Sequence, residues 1–279
     1  MTIVQRAVKR IAVVPAFNEE PTVVSVLDLL YSHVDEVIVV DDGSTDATRA
    51  EVHRWLPEHR AARLLVHDHN RGLSEAYYTA FSDLKRRLHL GEIGADDLVF
   101  TVDADGQHDL SVLDRLERTM LDERLDALLV RRDLSTYPRY KQLGNWVMAT
   151  WATLWAGAAL PDVESGYRIF RVGALTHALE YYRGYKYSET VEAAVVLKRL
   201  GYVVRNDIMV PVPIYRSRTT MTDVVIDLVA MPRAAWRATR PLGPLGRARA
   251  LATPMATVAA PVLAAVTVLA LRRRRRGHR

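Results

Sequence analysis

The feature that most constrains this fold is a repeated pairing of a short apolar run with a helix-forming segment. The apolar runs read RIAVV, VIVV, ARLLV, LVFTV and ALLV, and the first two are centred on Ile11–Val14 and Val37–Val40. Each is followed by residues with helical spacing, such as PTVVSVLDLLY and LSVLDRLERTMLDERL. Strands that alternate with helices predict an α/β fold with a mostly parallel, doubly wound sheet. The 279 residues, 49 % hydrophobic and 25 % charged, supply a sizeable core.

Two of these apolar runs end in acidic residues. Asp41 and Asp42 follow the second run, and Asp103 and Asp105 follow the fourth. Ligands of doubly wound sheets bind outside the carboxyl ends of the strands, near a switch in strand order. We therefore expect the four carboxylates to converge on one crevice.

The segment VDADGQHD has the chemistry of a site for a hard cation. Asp103 and Asp105 alternate, so on extended backbone they share a face, and Gln107 continues that alternation. Carboxylate and amide oxygens suit Mg²⁺ or Mn²⁺, and the chain has no cysteine for a thiolate site. A cation there would neutralise a departing diphosphate. The competing interpretation is that these aspartates cap the next helix or pair with arginines.

The segment DDGSTDAT has a mixed interpretation. Gly43 suits a tight turn, and Ser44 and Asp46 suit helix caps. Capping does not account for the adjacent pair Asp41 and Asp42. Those carboxylates could accept hydrogen bonds from a nucleotide base or a ribose.

Six motifs in this order resemble family 2 glycosyltransferases with the GT-A fold. They read VVPAFNEE, VVDDGSTDAT, NRGLSEAYYTAF, VDADGQHD, ESGYRIFR and PVPI, and the resemblance extends from about Ile11 to Arg218. Within the family the chain is most similar to the polyprenol- and dolichol-phosphate mannosyltransferase type, the polyprenyl-phosphate glycosyl synthases. The resemblance implies a GT-A domain over residues 1–218.

The resemblance also implies roles for individual residues. Nucleotide contacts are implied for Pro15, Phe17, Glu19, Val40 and Asp42. Phe17 stands where the family often has tyrosine, so ring stacking is retained and a hydroxyl is lost. Asp103, Ala104 and Asp105 match the D-x-D segment that meets metal and diphosphate, and Gln107 matches a third position beside the metal. We therefore expect Asp103, Asp105 and Gln107 to be the metal ligands.

Arginines are implied as the phosphate contacts. Arg132 and Arg168 match basic residues that face donor or lipid phosphate. After the last strand the family usually has R-x-x-G-E-S-K, whereas this chain has YRSRTTMT. Arg216 and Arg218 can replace the basic contacts, but the Gly-Glu pair and the lysine are missing.

The acceptor distinguishes two mechanisms. A sugar hydroxyl needs a carboxylate base, whereas a polyprenyl monophosphate is already ionised. The chain lacks the Glu-Asp pair and the Q-x-x-R-W motif of processive polysaccharide synthases, although Asp162 or Glu164 could act as a base. Glu189 and Glu192, at the start of an amphipathic helix, are further candidates. We take Asp105, Arg168 and Asp162 as the candidate catalytic residues.

The expected reaction is inverting transfer of a hexose, mannose or glucose, from a nucleoside-diphosphate sugar to a polyprenyl phosphate, assisted by Mg²⁺ or Mn²⁺. One alternative is a family 2 enzyme that glycosylates a hydroxyl of a saccharide or other small molecule. Another is a catalytically silent, membrane-tethered protein that binds nucleotide sugars.

The C-terminal region predicts association with a membrane. Residues 219–250 are apolar with interspersed arginines, which is typical of interfacial helices. Residues 251–271 are an apolar segment that inserts into a membrane or lies on it, and 272–279 are a basic tail. No secretory signal is visible, so we expect the protein to lie at the cytoplasmic face of the cell membrane. The sequence also lacks a pattern of basic residues interleaved with aromatic residues, which would indicate nucleic-acid binding. The oligomeric state is not predicted.

Overall fold

The computed structural model describes residues 7–181, 188–211 and 221–252. Nine strands lie in two sheets. The seven-stranded sheet contains β1 (Arg10–Ala16), β2 (Glu36–Asp41), β3 (Ala62–Val66), β4 (Leu98–Thr101), β5 (Ala127–Leu129), β7 (Arg168–Arg171) and β8 (Val204–Arg205). A two-stranded sheet pairs β6 (Arg131–Asp133) with β9 (Met209–Pro211).

Helices cover both faces of the large sheet. They are α1 (Val23–Tyr31), α2 (Thr48–Trp55), α3 (Leu73–His89), α4 (Leu113–Asp122), α5 (Arg139–Ala156), α6 (Val172–Ala178), α7 (Glu189–Arg199) and α8 (Met221–Ala238). Residues 243–252 are also helical. One hydrophobic core lies between the sheet and α1, α2 and α4, and a second lies under α3, α5, α6, α7 and α8.

The strand order of the large sheet is β3-β2-β1-β4-β7-β5-β8. Its pairings are parallel except those of β7, which runs antiparallel to both β4 and β5. The predicted mostly parallel, doubly wound α/β sheet is therefore confirmed. The orientation of β7 could not be read from its sequence, because a short strand buried on both sides has the same apolar pattern in either direction.

Two segments of the sequence each divide between the large and the small sheet. The run DALLVRR forms β5 and then, after Val130, β6, while VVRNDIMVPVPI contributes β8 and β9. The strand containing Pro211 lies in the two-stranded sheet, where each strand is an edge, as its proline requires.

The helix predicted to be amphipathic, α7, is instead buried all round. Every residue from Glu189 to Leu197 is buried, because α3, α5, α6 and α8 pack around it. A helix that neighbouring helices cover on every side has no solvent-exposed side, so it does not need a stripe of polar residues.

Helix α8, which follows the predicted domain boundary at residue 218, packs on the same core as α7. Met231, Ala234, Ala235 and Ala238 of α8 are buried in the same core as α7. No helix among the described residues has the length and apolar character needed to cross a membrane. The predictions for Arg216, Arg218 and residues 253–279 lie outside the described residues.

A charged cluster at the first residue of β2 ties this strand to α3. The buried Glu36 carboxylate accepts two hydrogen bonds from Arg87, at 2.8 and 2.7 Å, and one from Lys9 at 2.7 Å. Burial by itself would raise the pKa of Glu36, but the hydrogen bonds from Arg87 and Lys9 outweigh it and lower the pKa. A lowered pKa in the folded state means that the carboxylate stabilises the fold above its unfolded pKa, and that this contribution is lost as the pH falls through the folded pKa.

We predict that Glu36→Gln lowers the free energy of unfolding by about 3 kcal/mol near neutral pH, because the buried Arg87 loses the carboxylate that accepts two of its hydrogen bonds and keeps only the more distant charges of Asp83 and Glu92. The difference from the unsubstituted protein should shrink as the pH falls below ~4.3, the ordinary pKa of glutamate, and disappear once the pH is below the lowered pKa of folded Glu36, where the unsubstituted protein has also lost this charge. Urea unfolding at several pH values measures both effects. Glu51→Gln is the matched control, because its pair with Arg54 lies at the surface and should contribute under about 1 kcal/mol. An equal loss in both variants would contradict the account.

Candidate functional site

The crevice lies where the strand order switches direction. From β1 the chain adds β2 and β3 on one side and then returns to add β4 on the other. The loops after β1 and β4 therefore diverge at their carboxyl ends, which is where doubly wound sheets bind ligands. These loops contain the FNEE and DADGQHD segments.

Hydrogen bonds hold the loop after β1 against the loop after β2. Asn18 adopts a left-handed backbone (φ 55°), and its side-chain oxygen accepts from Thr45 N at 2.8 Å. Asn18 N donates to Ser44 Oγ at 3.0 Å, and Glu19 N donates to Thr48 Oγ1 at 2.8 Å. Ser44, predicted as a helix cap, thus serves to hold the neighbouring loop. The two motifs fix each other's backbone.

Asp46, predicted as a helix cap, lies one residue before the N-cap of α2, which is Ala47. Its carboxylate accepts from Thr48 N at 3.0 Å. The neighbouring Gly43 has a φ of 70°, as a tight turn requires, and a Cβ there would also lie 2.3 Å from the backbone carbon of His69. The loops after β2 and β3 are therefore in backbone contact.

Asp41 and Asp42 are both buried and bind internal donors. Asp41 accepts from Arg49 Nε at 2.6 Å. Asp42 accepts from Arg71 N at 2.9 Å and Gly72 N at 2.8 Å, and lies 2.7 Å from His67 Nδ1. These contacts give Asp42 a role in positioning the loop after β3, and the nucleotide contact implied for it stays a prediction.

The other residues predicted to contact the nucleotide differ in whether their side chains are accessible to a ligand. Pro15, Val40 and Ala104 have buried side chains, so only their backbone groups could meet a ligand. Phe17 and Glu19 are half-buried beside the crevice. Their implied roles in stacking and in ribose binding stay predictions.

Asp103 is the partly exposed first acid of the D-x-D segment. Its side chain is 33 % exposed, and its Oδ1 accepts from the Tyr77 hydroxyl at 3.4 Å. Burial and the charge of Asp103 raise the pKa of Tyr77 well above its ordinary value, so Tyr77 stays a donor at neutral pH. On the other side Gly166 approaches so closely that a Cβ there would lie 2.7 Å from Asp103 Oδ2.

Asp105 and Gln107 lie side by side. Asp105 Oδ1 accepts from Gln107 N at 3.0 Å, and Oδ2 accepts from Gln107 Nε2 at 2.6 Å. Gly106 between them has a φ of 74°, which turns the chain back on itself. With Asp103, these half-buried residues offer carboxylate and amide oxygens, a donor set that fits Mg²⁺ or Mn²⁺. Within the described ranges no group of three or more acids or histidines is placed to hold a metal, so the metal site stays a prediction.

Arg132 binds both acids that were candidates for a catalytic base. Its Nε and Nη2 donate to Asp162 at 2.8 and 2.9 Å, and Nη2 also donates to Glu164 at 3.0 Å. Asp162 is buried and accepts further bonds from Arg132 N and Glu164 N. Burial by itself would lower the pKa of Arg132, but Asp162 and Glu164 outweigh it and raise the pKa. The expectation of Asp162 as a base has no support in this geometry, because its oxygens already accept four hydrogen bonds.

Arg168 is buried rather than exposed to the crevice. Its Nε donates to Ser165 O at 2.7 Å, and its Nη1 to Glu189 at 3.4 Å. A direct contact with phosphate would require the loop before β7 to move, so in this structure Arg168 shapes that loop. Burial raises the pKa of Glu189, one of whose oxygens has no hydrogen-bond partner among the described residues. Glu192 is likewise buried and accepts from Arg237 at 2.6 Å.

Three residues of the site were not predicted from the sequence: Tyr77, Asn145 and Gly166. Tyr77 stacks on Phe81 one turn later, so its spacing indicated only a core helix. Asn145 accepts from Arg132 at 3.0 Å from within an apolar helix. The one available signal was Gly166 directly before the YRIF strand, since an isolated glycine there indicates close approach of another group.

Comparison with known proteins gives consistent matches. The sequence model of the family named Glycosyl transferase family 2 matches residues 11–176, more than half of the chain. The UDP-N-acetylglucosamine–dolichyl-phosphate N-acetylglucosaminyltransferase of Methanococcus voltae is 27 % identical over 205 residues, 67 % of this chain and 79 % of that protein. The undecaprenyl-phosphate mannosyltransferase of Micrococcus luteus is 28 % identical over 172 residues, 59 % of this chain and 67 % of that protein.

A solved structure shares the fold. The mannosyltransferase PcManGT of Pyrobaculum calidifontis, in complex with GDP-Man and Mn²⁺, superposes with a TM-score of 0.53 at 20 % identity. The match covers 94 % of this chain and 80 % of that one. The mixed α/β fold with its mostly parallel sheet is therefore the GT-A fold.

We predict that Gly166→Ala weakens binding of GDP-mannose or UDP-glucose by about 10- to 100-fold, because the new Cβ displaces the Asp103 carboxylate. Titration calorimetry with each nucleotide sugar measures the effect. Gly144→Ala is the matched control, since its Cβ would meet nothing within 4 Å inside an exposed part of α5. Donor affinity that is unchanged in Gly166→Ala would show that Asp103 does not contact the donor or its cation.

Proposed function

Because the chain belongs to glycosyl transferase family 2 and is a glycosyltransferase, we propose that it transfers a hexose to polyprenyl phosphate. The donor is a nucleoside-diphosphate sugar that carries mannose or glucose, and the transfer inverts the anomeric carbon. Both relatives described above carry names that include a lipid phosphate.

The observation that carries this proposal is the pairing of Asp162 and Glu164 with Arg132. A hydroxyl acceptor needs a carboxylate that is free to take a proton in the transition state. Asp162 accepts four hydrogen bonds, and Glu164, which is 28 % exposed, is held by Arg132 at 3.0 Å. A phosphate monoester is already anionic near neutral pH, so it needs a positively charged site rather than a base.

The proposed step is a direct displacement at the anomeric carbon. An oxygen of the polyprenyl phosphate forms the new bond to that carbon, while the bond to the diphosphate oxygen breaks. The electron pair of the broken bond leaves with the nucleoside diphosphate. No proton is transferred in this step, and attack from the face opposite the leaving group gives inversion.

Arg132 is the arginine best placed to orient phosphate in this reaction. Asp162 fixes one edge of its guanidinium, and among the described residues its Nη1 has no hydrogen-bond partner. A guanidinium group that is held on one edge can bind phosphate on its other edge with little loss of conformational freedom. Arg168 acts indirectly by holding the loop that carries Glu164. Arg216 and Arg218 remain proposed phosphate contacts on the resemblance alone.

Asp103, Asp105 and Gln107 are the proposed holders of Mg²⁺ or Mn²⁺. When bound, the cation neutralises the developing charge on the leaving diphosphate. The Gln107 amide now donates to Asp105, so binding requires the amide to rotate and present its oxygen. Tyr77 and Gly166 limit where the Asp103 carboxylate can lie.

The proposed location is the cytoplasmic face of the cell membrane, where a polyprenyl-phosphate acceptor resides. Support comes from the arginines spread through residues 219–250 and from the apolar sequence of residues 251–271. Anionic lipids would attract such a segment.

We predict that the purified full chain transfers label from radiolabelled GDP-mannose or UDP-glucose to polyprenyl phosphate. The measurement is the label recovered in the organic phase after extraction, with the non-phosphorylated polyprenol as the matched acceptor. Label should enter the lipid with the phosphate acceptor and remain in water with the alcohol. Transfer to a soluble saccharide hydroxyl, with no label in the lipid from either donor, would sink the proposal.

A second prediction concerns the cation. Asp105→Asn should reduce turnover by at least about 100-fold and abolish its response to added Mn²⁺, because the leaving diphosphate is no longer neutralised. Asp68→Asn is the matched control, since its side chain is 93 % exposed in the loop after β3. If Asp105→Asn kept full turnover and an unchanged Mn²⁺ titration, the metal assignment would be wrong.

A further inference from the structure

The exposed apolar side chains of this protein concentrate on one part of its surface. Of sixteen exposed large hydrophobic residues among the described ones, nine lie within residues 140–147 and 225–245. They are Tyr140, Leu143, Trp146, Val147, Val225, Val229, Trp236, Leu242 and Leu245. The first four lie in the N-terminal half of α5, where no residue from 139 to 147 is buried.

Helices α5 and α8 lie side by side and run in the same direction. Trp151 Nε1 donates to the carbonyl oxygen of Leu228 at 2.9 Å. One turn further along α5, Trp155 lines a groove of about 330 Å³ together with Pro232 and Trp236 of α8. Arg233 and Arg237 of α8 also line this groove, and the indole N–H of Trp155 is buried there with no partner among the described residues.

The exposed residues form one stripe on each helix, and each stripe leads along its helix towards this groove. On α5, Tyr140, Leu143 and Val147 precede Trp151 at helical spacing. On α8, Val225 and Val229 precede Trp236 in the same way. Because Trp155 and Trp236 continue the stripes into the groove, the two stripes lie on one surface, which we call the α5–α8 face.

The charged residues of this face are mostly basic, because the two acids of α8, Asp223 and Asp227, precede its arginines and Asp227 is buried. Helix α5 contains Arg139 and Lys141 and no acidic residue. Between residues 228 and 252 the sequence contains five arginines and no acid. Arg247 lies over the Trp236 ring, 4.3 Å from its centroid, so the helix 243–252 adds its cations beside the same stripe.

We infer that the α5–α8 face docks on an anionic lipid bilayer, with α5 in direct contact with the lipid. Tryptophan and tyrosine favour the membrane–water interface, where their rings are buried and their polar atoms stay hydrated. Arginines and lysines beside them complement anionic head groups. A partner protein without net negative charge would leave these cations uncompensated. The new element is α5, which belongs to the catalytic domain and lies far in sequence from the basic C-terminal region.

Docking through α5 places the crevice beside the lipid. Asn145, on the same helix, accepts a hydrogen bond from Arg132 at 3.0 Å. The helix that meets the bilayer therefore also orients the arginine proposed to bind the acceptor phosphate. This consequence rests on the proposed function, whereas the docking itself can be tested without donor or acceptor.

The absence of cysteine from the chain allows a direct test with a single label. Leu143→Cys and, as the control, Leu90→Cys are each labelled with an environment-sensitive fluorophore; the parent residues are 60 % and 59 % exposed. The full-length proteins are mixed with phosphatidylcholine vesicles with and without phosphatidylglycerol. We expect the label at position 143 to shift to the blue and brighten severalfold only with the anionic vesicles, and the label at position 90 to stay unchanged.

A second measurement uses flotation of the unlabelled full chain. Leu143→Ser combined with Trp146→Ser should weaken binding to the anionic vesicles by at least about tenfold, because apolar area is no longer buried in the interface. The exposed Leu29→Ser, in α1, should leave binding unchanged. The inference would be overturned if the protein floated with the vesicles while the fluorescence of the label at position 143 did not change. It would also be overturned if the protein did not bind the vesicles.

Discussion

The rest of the structure depends on the hydrogen bonds made by the Asp42 carboxylate at the end of β2. It accepts from the backbone of Arg71 and Gly72 and lies 2.7 Å from His67, so it joins the loop after β2 to the loop after β3. The loop after β2 is in turn bound to the loop after β1 through Asn18. Three loops at one edge of the sheet are thereby fixed before any ligand binds. A prearranged edge of this kind lowers the entropy that ligand binding must overcome.

The charged and amide side chains of the crevice fall into two groups. One group has its side chains satisfied inside the protein: Asp41, Asp42, Asp162 and Arg168. The other group lies half-buried at the crevice: Asp103, Asp105, Gln107, Arg132 and Glu164. Internal partners make the first group a scaffold, and partial exposure makes the second group the candidates for cation and phosphate contacts. The division supports a mechanism in which positioning and charge neutralisation carry the reaction.

Much of the fold could be predicted from the sequence, because strands buried on both faces and followed by helices leave few topologies. Apolar runs such as VIVV and the acids that end them fixed the sheet and the crevice edge. The antiparallel direction of β7 and the complete burial of α7 could not be predicted, since both depend on which elements pack nearby. The site was predicted less well than the fold. Residue type and spacing identify Asp42 and Arg168 as polar and charged, but only the three-dimensional arrangement reveals that their partners are internal.

The central claim is that the acceptor is an ionised phosphate that needs no protein base. The most direct test is the pH dependence of kcat for Glu164→Gln with a polyprenyl-phosphate acceptor, because Glu164 is the more exposed of the two acids bound by Arg132. The account predicts that kcat stays within about tenfold of the unsubstituted enzyme and that the shape of the pH profile is retained. A loss of about 1,000-fold, together with disappearance of the acidic limb of the profile, would identify Glu164 as a general base and contradict the account.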